Sequence, residues 1–193
     1  GYGAWGLTVF RTDAEDLYIY ELNPENSKQY FHKGEWVDFN IIKESIPVKG
    51  GEDYEIELYY SIHGPVTLID ENRNRAYAVR CGWLEVGGSP YLASLRMNQS
   101  NSWEEFREAC NYSNIPGENM IWADKDGNIG WQAVGIAPIR NTHSGMVPVM
   151  GDGRYEWDGY LPIIEKPNDL NPDNEFLATA NENVTPLSYD KWN

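Results

Sequence analysis

Alternation with a period of two runs through the first eighty residues and sets the fold class. The runs "WGLTVF", "DLYIYEL", "FNIIKESIPV", "YEIELYYSI" and "RAYAVR" place Tyr, Trp, Val and Ile at every second position. Successive side chains of a strand point to opposite faces, so each run buries one face and wets the other. Between the runs lie "HKGEW", "VKGGED" and "DENRNR", which supply the Gly, Asn and Asp that tight turns require. This half is predicted to be a meander of hairpins.

The period changes near residue 90. "SPYLASLRMNQ" and "NSWEEFREACNYS" read as two short helices, the second with Trp103, Phe106 and Cys110 on one face. Asn101 or Ser102 is placed to cap that second helix, and Glu104 and Glu105 in its first turn suit the positive end of the dipole. Strand character returns in "NMIWADKDGNIGWQAVGIAP", where Asp126-Gly127 predicts a hairpin turn. The last third, dense in Pro, Gly, Asn and Asp but also in aromatics, reads as ordered loop laid over a sheet. Arg140 and Arg154 are expected to anchor such loops through carboxylates.

Composition removes whole classes of partner. Thirty acidic and fifteen basic residues give a formal net charge of -15 over 193 residues, which repels phosphate backbones and anionic lipid. Nucleic acid and membrane are therefore not expected partners, and no apolar run is long enough to span a bilayer. "GYGAWGLTVF" opens in what reads as a strand, without the layout of a signal peptide, and the chain is expected to be a piece of a longer one. Cys81 and Cys110 lack the close Cys or His companions of a zinc site and read as two free thiols, with a single bridge as the alternative. Asn98-Gln-Ser, Asn111-Tyr-Ser and Asn183-Val-Thr fit the glycosylation pattern, which matters in a host that glycosylates exported proteins.

Several residues could carry chemistry. Asn181, in "FLATANENVTP", is on local pattern a polar turn residue closing a strand; the other reading is an amide donor aimed at a reacting oxygen. "TDAED" offers Asp13, Glu15 and Asp16, either a solvated acidic turn or hard oxygen ligands for a calcium ion. "DGNIGW" and "GDGRYEWDG" have the residues of a sugar site, but hairpin turns and a packed aromatic cluster explain them as well. His63, in "IHGPV", is expected to fix a turn through a hydrogen bond, while His32 and His143 are read as having no carboxylate or Ser constellation around them and as standing outside any mechanism.

Five segments carry a family pattern in register. "AWGLTVFRTDAEDLYIYELNPENSKQY" at 4–30, "HGPV" at 63–66, "ADKDGNIGWQAVGIAPIR" at 123–140, "PVMGDGRYEWDGYLP" at 148–162 and "NPDNEFLATANENV" at 171–184 together resemble the β-subunit of the penicillin acylases. The resemblance covers nearly the whole chain. It implies an α+β fold, part of the αββα sandwich of N-terminal-nucleophile hydrolases, mostly antiparallel β with two short helices around residues 90–112. It further implies a single piece, residues 1–193, from the central to C-terminal part of that subunit. Such enzymes arise from a precursor that cleaves itself and exposes a serine, whose own α-amino group serves as base. No serine matching that start occurs here; the resemblance puts it roughly sixty residues upstream, within the reach of one domain, so this piece alone is expected to be inactive.

The site residues follow from the same resemblance. The oxyanion of amide hydrolysis would be held by the side chain of Asn181 and the backbone N–H of Val9. Leu7, Arg11 and Glu118 would stand beside the acyl pocket, Arg11 where some relatives carry an aromatic. No cofactor is required for the chemistry, and a structural calcium ion is implied at Asp13 and Asp16 through carboxylates and at Glu15 through its carbonyl. The implied partners are an α-subunit, the rest of the β-subunit and a small acyl-amide substrate. Self-association is expected of an isolated piece with open sheet edges. Most relatives would place the protein in the periplasm or outside the cell, with the cytoplasm still open. The competing class, a non-catalytic acidic β module binding glycans or calcium, predicts no convergent Asn amide.

Overall fold

The computed structural model describes residues 1–191. In chain order the strands are β1 (Gly3–Val9), β2 (Glu15–Asn23), β3 (Asn26–His32), β4 (Glu35–Asp38), β5 (Asn40–Ile46), β6 (Tyr54–Ser61), β7 (Gly64–Asp70) and β8 (Arg75–Cys81). Helices α1 (Ala93–Met97) and α2 (Trp103–Cys110) precede β9 (Glu118–Asp124), β10 (Ile129–Ala133), β11 (Val149–Met150) and β12 (Asn168–Leu170). The described residues fall into two compact units. One comprises Gly1–Ala14, Glu85–Ile139 and the segment from Trp157; the other comprises Glu15–Leu84 and Arg140–Glu156.

The second unit is the predicted meander, an eight-stranded sheet in the order β4-β3-β2-β8-β7-β6-β5 with β11 parallel to β2. Along β2 the alternation buries Asp16, Tyr18, Tyr20 and Leu22 on one face. The register sets Tyr18 opposite Ala78 and Tyr20 opposite Ala76, large against small, which lets the two rings lie over β8 without crowding. Tyr30, Phe39 and Val149 complete this core. His63 belongs to it, 5% exposed. Its ring stacks on Tyr18 at 3.7 Å, Nδ1 meets the Tyr20 hydroxyl, and Nε2 lies 2.9 Å from Glu156 Oε2. Burial lowers its pKa while Glu156 pulls it back up, in an environment that ties three segments together. Gly64 follows because its φ of +137° and the Val79 carbonyl, 2.3 Å from where a Cβ would sit, admit only glycine.

The first unit is a four-stranded antiparallel sheet in the order β1-β9-β10-β12. Helix α2 forms where the apolar spacing predicts it. Ser102 Oγ accepts the Glu105 N–H, and the Glu105 carboxylate returns to the Asn101 N–H at 2.8 Å, a reciprocal cap. Trp103, Phe106, Ala109 and Cys110 are buried against Met97, Met120, Trp122, Val134 and Ile163. Helix α1 is shorter than "SPYLASLRMNQ" suggests because Tyr91, at φ +60°, is left-handed and stops the helix upstream. Asp124 builds the hairpin turn by accepting the N–H groups of Asp126 and Asn128 on Oδ1 at 3.0 and 2.9 Å.

Both cysteines are free, and burial pushes the Cys110 thiol up to about 12. Among the described residues no helix is long and apolar enough to cross a membrane. The end strands β1 and β5 leave Leu7, Val9, Ile42 and Ile46 exposed, as expected of open sheet edges. The fold class is as predicted: mostly antiparallel sheet with two short helices.

Candidate active site

The site is built at the end of β1. Backbone donors of an antiparallel strand point alternately toward and away from the partner. The Phe10 N–H bonds the Gly117 carbonyl at 3.0 Å, on the β9 side. A Cβ on Gly117 would fall 2.5 Å from the Phe10 carbonyl oxygen, so only glycine permits this approach. The Val9 N–H therefore faces the open edge, where no strand receives it. Asn181 receives it instead: the Val9 N–H donates to Asn181 Oδ1 at 3.0 Å across 172 residues of chain. Asn181 adopts φ +67°, a left-handed conformation that Asn tolerates better than most residues. Asn181 thus sits in a turn conformation and also presents its side-chain amide to the Val9 backbone.

A polar network fixes this geometry from below. Asn119 is fully buried and donates through Nδ2 to the Val9 carbonyl at 3.1 Å and to Thr8 Oγ1 at 3.2 Å. Its Oδ1 accepts from Trp131 Nε1 at 2.8 Å. The Thr8 hydroxyl in turn donates to Thr179 Oγ1 at 2.7 Å. The Val9 peptide and the 179–181 segment are therefore tied through one connected set, which holds their mutual position more firmly than isolated contacts would. Phe10, Trp131 and Ala133 form the core patch beneath it, with Leu177 and Val184 packed alongside. Sequence reasoning missed Thr8, Asn119 and Thr179. The available signal was a fully polar amide inside the apolar strand "ENMIWAD".

A cavity of about 270 Å³ opens here, lined by Phe10, Arg11, Asn181, Glu182 and Asn183. Of the residues expected beside an acyl pocket, Arg11 lines it. Leu7 and Glu118 do not. Leu7 stands 42% exposed on β1, and Glu118, opposite Val9 in the register, is 3% exposed. Glu118 Oε2 has no hydrogen-bond partner among the described residues, and burial raises its pKa.

Behind Arg11 lies a group that composition gave no reason to expect inside. Lys166 is fully buried, and its Nζ donates to Thr12 Oγ1 at 2.8 Å and to the carbonyls of Val134 and Gly135 at 2.9 Å each. It also sits 4.9 Å from the centre of the Phe10 ring. Burial pushes its pKa down to about 7. Three acceptors match the three N–H bonds of an ammonium and work against that shift.

The calcium reading finds no gathered ligand set. Among the described residues no group of three or more His, Cys, Asp or Glu side chains is placed to hold a metal ion. Asp16 is buried with Arg140, whose Nε donates to Asp16 Oδ2 at 2.8 Å, and His143 Nε2 lies 3.3 Å from the same oxygen. Glu15 Oε1 accepts from the Cys81 thiol at 3.1 Å, and Asp13 is exposed. A guanidinium thus supplies the positive charge that Asp16 would otherwise find in a metal. Arg154 holds Asp152 at 2.9 Å, so both arginines anchor carboxylates as expected.

The fold, mostly antiparallel sheet with two short helices, is that of the N-terminal-nucleophile hydrolases of the penicillin acylase type. The chain matches the thermostable penicillin G acylase from Alcaligenes faecalis over 100% of its own length and 35% of that chain, with a TM-score of 0.89 and 31% identity. The penicillin amidase family model matches residues 1–193, and the chain belongs to that family. It is 29% identical over 182 residues to penicillin G acylase of Escherichia coli, covering 94% of this chain and 21% of that protein. It is 28% identical over 194 residues to the acyl-homoserine lactone acylase QuiP of Pseudomonas fluorescens, covering 98% of this chain and 24% of that protein. The chain therefore spans about a fifth to a quarter of the length of these curated relatives.

Proposed function

We propose that the protein carrying this chain hydrolyses a side-chain amide through an acyl-enzyme on an N-terminal serine outside residues 1–193, and that this chain contributes the oxyanion hole. The observation that supports the reading is the 3.0 Å contact from the Val9 N–H to Asn181 Oδ1, with Asn181 lining a cavity of about 270 Å³. Attack on an amide carbonyl places a full negative charge on its oxygen, and pre-aimed donors stabilise that charge most where they need not reorganise. The Val9 N–H is one donor, fixed by its strand and bonded in this structure to Asn181 Oδ1, which a substrate oxygen would displace. The Asn181 side chain is the second, since an oxygen entering the position of Oδ1 meets the N–H of Val9 once the carboxamide turns its NH₂ inward. The network through Thr8, Asn119 and Thr179 holds both partners while that exchange occurs.

No step of this scheme passes through a metal or a histidine. The remainder of the enzyme would cover the exposed edge at Leu7 and Val9 and supply the nucleophile. The test is to produce the full-length precursor, follow its self-cleavage, and assay a panel of phenylacetyl, linear acyl and acyl-homoserine lactone amides. Cleavage followed by hydrolysis of at least one amide class is expected. A processed protein that hydrolyses none of them overturns the proposal.

A further inference from the structure

Among the described residues Lys166 is the one charged side chain with no exposure at all. An ammonium is placed inside only where protein acceptors replace its water. Its backbone is pinned at the end of the 3-10 turn Ile163–Glu165: the Lys166 N–H donates to the Ile163 carbonyl at 3.0 Å, and Asn168 Nδ2 donates to the Lys166 carbonyl at 2.9 Å. From there the stem passes the Phe10 ring and Nζ reaches Thr12 Oγ1 at 2.8 Å and the carbonyls of Val134 and Gly135 at 2.9 Å each. The two carbonyls belong to a firmly held stretch, since the Val134 N–H bonds the Glu118 carbonyl at 2.8 Å and the Gly135 N–H bonds the Ser113 carbonyl at 2.9 Å. Thr12 belongs to the stretch that leaves β1. Lys166 therefore ties the end of β1 to the end of β10, with β9 between them in the sheet.

That tie bears on the oxyanion donor. The last pair of β1 with β9 is Val9 with Glu118, and strand ends fray unless the residues beyond the last pair are held. Here the Phe10 N–H is bonded to Gly117 and Thr12 is bonded to Lys166. Phe10 in turn lines the cavity with Asn181. We propose that Lys166 is a positioning residue of this site: by joining Thr12 to Val134 and Gly135 it holds the Phe10–Thr12 stretch, and through it the aim of the Val9 N–H and the Phe10 wall of the cavity. This rests on the amide-hydrolase reading above, because the group being positioned is its oxyanion donor. The tie serves both charge states of the lysine. An ammonium donates to all three oxygens, whereas a neutral amine donates to the two carbonyls and accepts the Thr12 O–H on its lone pair. With a folded-state pKa of about 7 both forms are populated near neutrality, and a hydroxyl is the partner that suits either.

The test breaks the tie from its less buried side. Thr12 is half-buried; Thr12→Val keeps its shape and Thr12→Ser keeps its hydroxyl. On the processed full-length enzyme, with the amide it turns over best, kcat per active site is expected to fall roughly ten- to hundred-fold in Thr12→Val, the range for a displaced donor. KM should change little, and Thr12→Ser should recover most of the loss. Active sites are counted by covalent labelling of the serine to completion, so that lowered stability reduces their number and not the rate of each. A loss below about fivefold per site, a Thr12→Ser enzyme as slow as Thr12→Val, or a KM that rises as much as kcat falls overturns the proposal. In a Lys166→Met background Thr12→Val should cost nothing further, and additive losses would give Thr12 a role apart from Lys166 and overturn it too. Hydrogen exchange on the same proteins separates this proposal from the reading it rests on. Exchange across Leu7–Thr12 should be at least about tenfold faster in Thr12→Val, with α2 unchanged. If no amide is hydrolysed, that acceleration upholds the positioning and places the failure in the amide-hydrolase reading, whereas unchanged exchange overturns the positioning itself.

Discussion

Replacing Lys166 by Met keeps the length of the stem and removes the ammonium that joins Thr12, Val134 and Gly135. Burial lowers the folded-state pKa from 10.5 to about 7. The unfolded lysine therefore holds its proton over a range where the folded one has released it. Stability must rise with pH across that window, from about 7 to about 10.5, and be lower by the full amount below it. A gap of about 3.5 in pKa at ~1.36 kcal/mol each bounds the change at about 5 kcal/mol. Between pH 7 and 9 the bound is about 2.7 kcal/mol, and the three acceptors that favour the ammonium hold the real gain to about 1–2 kcal/mol. Urea unfolding of wild type and Lys166→Met at both pH values reads the difference directly. Wild type should gain on the variant as the pH rises. A difference that is the same at both pH values, or that moves the other way, would refute this account of the buried lysine.

Glu118 gives the opposite sign. Its folded pKa is raised by burial, so it contributes stability in acid that is lost as the pH climbs through the folded value. Glu118→Gln should consequently be more stable than wild type at pH 7 and lose that advantage at acid pH, as seen by thermal unfolding. Arg140→Met leaves the Asp16 carboxylate, whose side chain is 1% exposed, without its guanidinium, and about 3–5 kcal/mol of stability should go with it. An unfolding midpoint within experimental scatter of wild type would show that Asp16 finds its counter-charge elsewhere.

What could be read from the residues alone had physical causes, and so did what could not. Alternation in "DLYIYEL" and the apolar face of "WEEFREAC" are local signals, and β2 and α2 follow them because one face of each is buried. The shorter α1 turned on Tyr91, whose left-handed backbone no residue pattern declares. Asn181 was visible through the family pattern, and its partner Val9 through position alone, since a backbone N–H leaves no trace in the side chain. Thr8, Asn119 and Thr179 were not legible because their bonds join residues more than a hundred apart, at separations of 111 and 171. Lys166 was hidden for the opposite reason: lysines are almost always solvated, and only the converging carbonyls of Val134 and Gly135 explain this one. For "TDAED" the described side chains form no group of three or more His, Cys, Asp or Glu placed for a metal ion.

The most direct test of the central claim is the turnover of the processed enzyme with Asn181 replaced by glycine. Glycine accepts the φ of +67° without strain and removes only the amide. A loss of about 100- to 1000-fold in kcat with little change in KM is predicted, the range for one oxyanion donor. A variant that turns over within tenfold of wild type would contradict the claim that Asn181 and the Val9 N–H form the oxyanion hole.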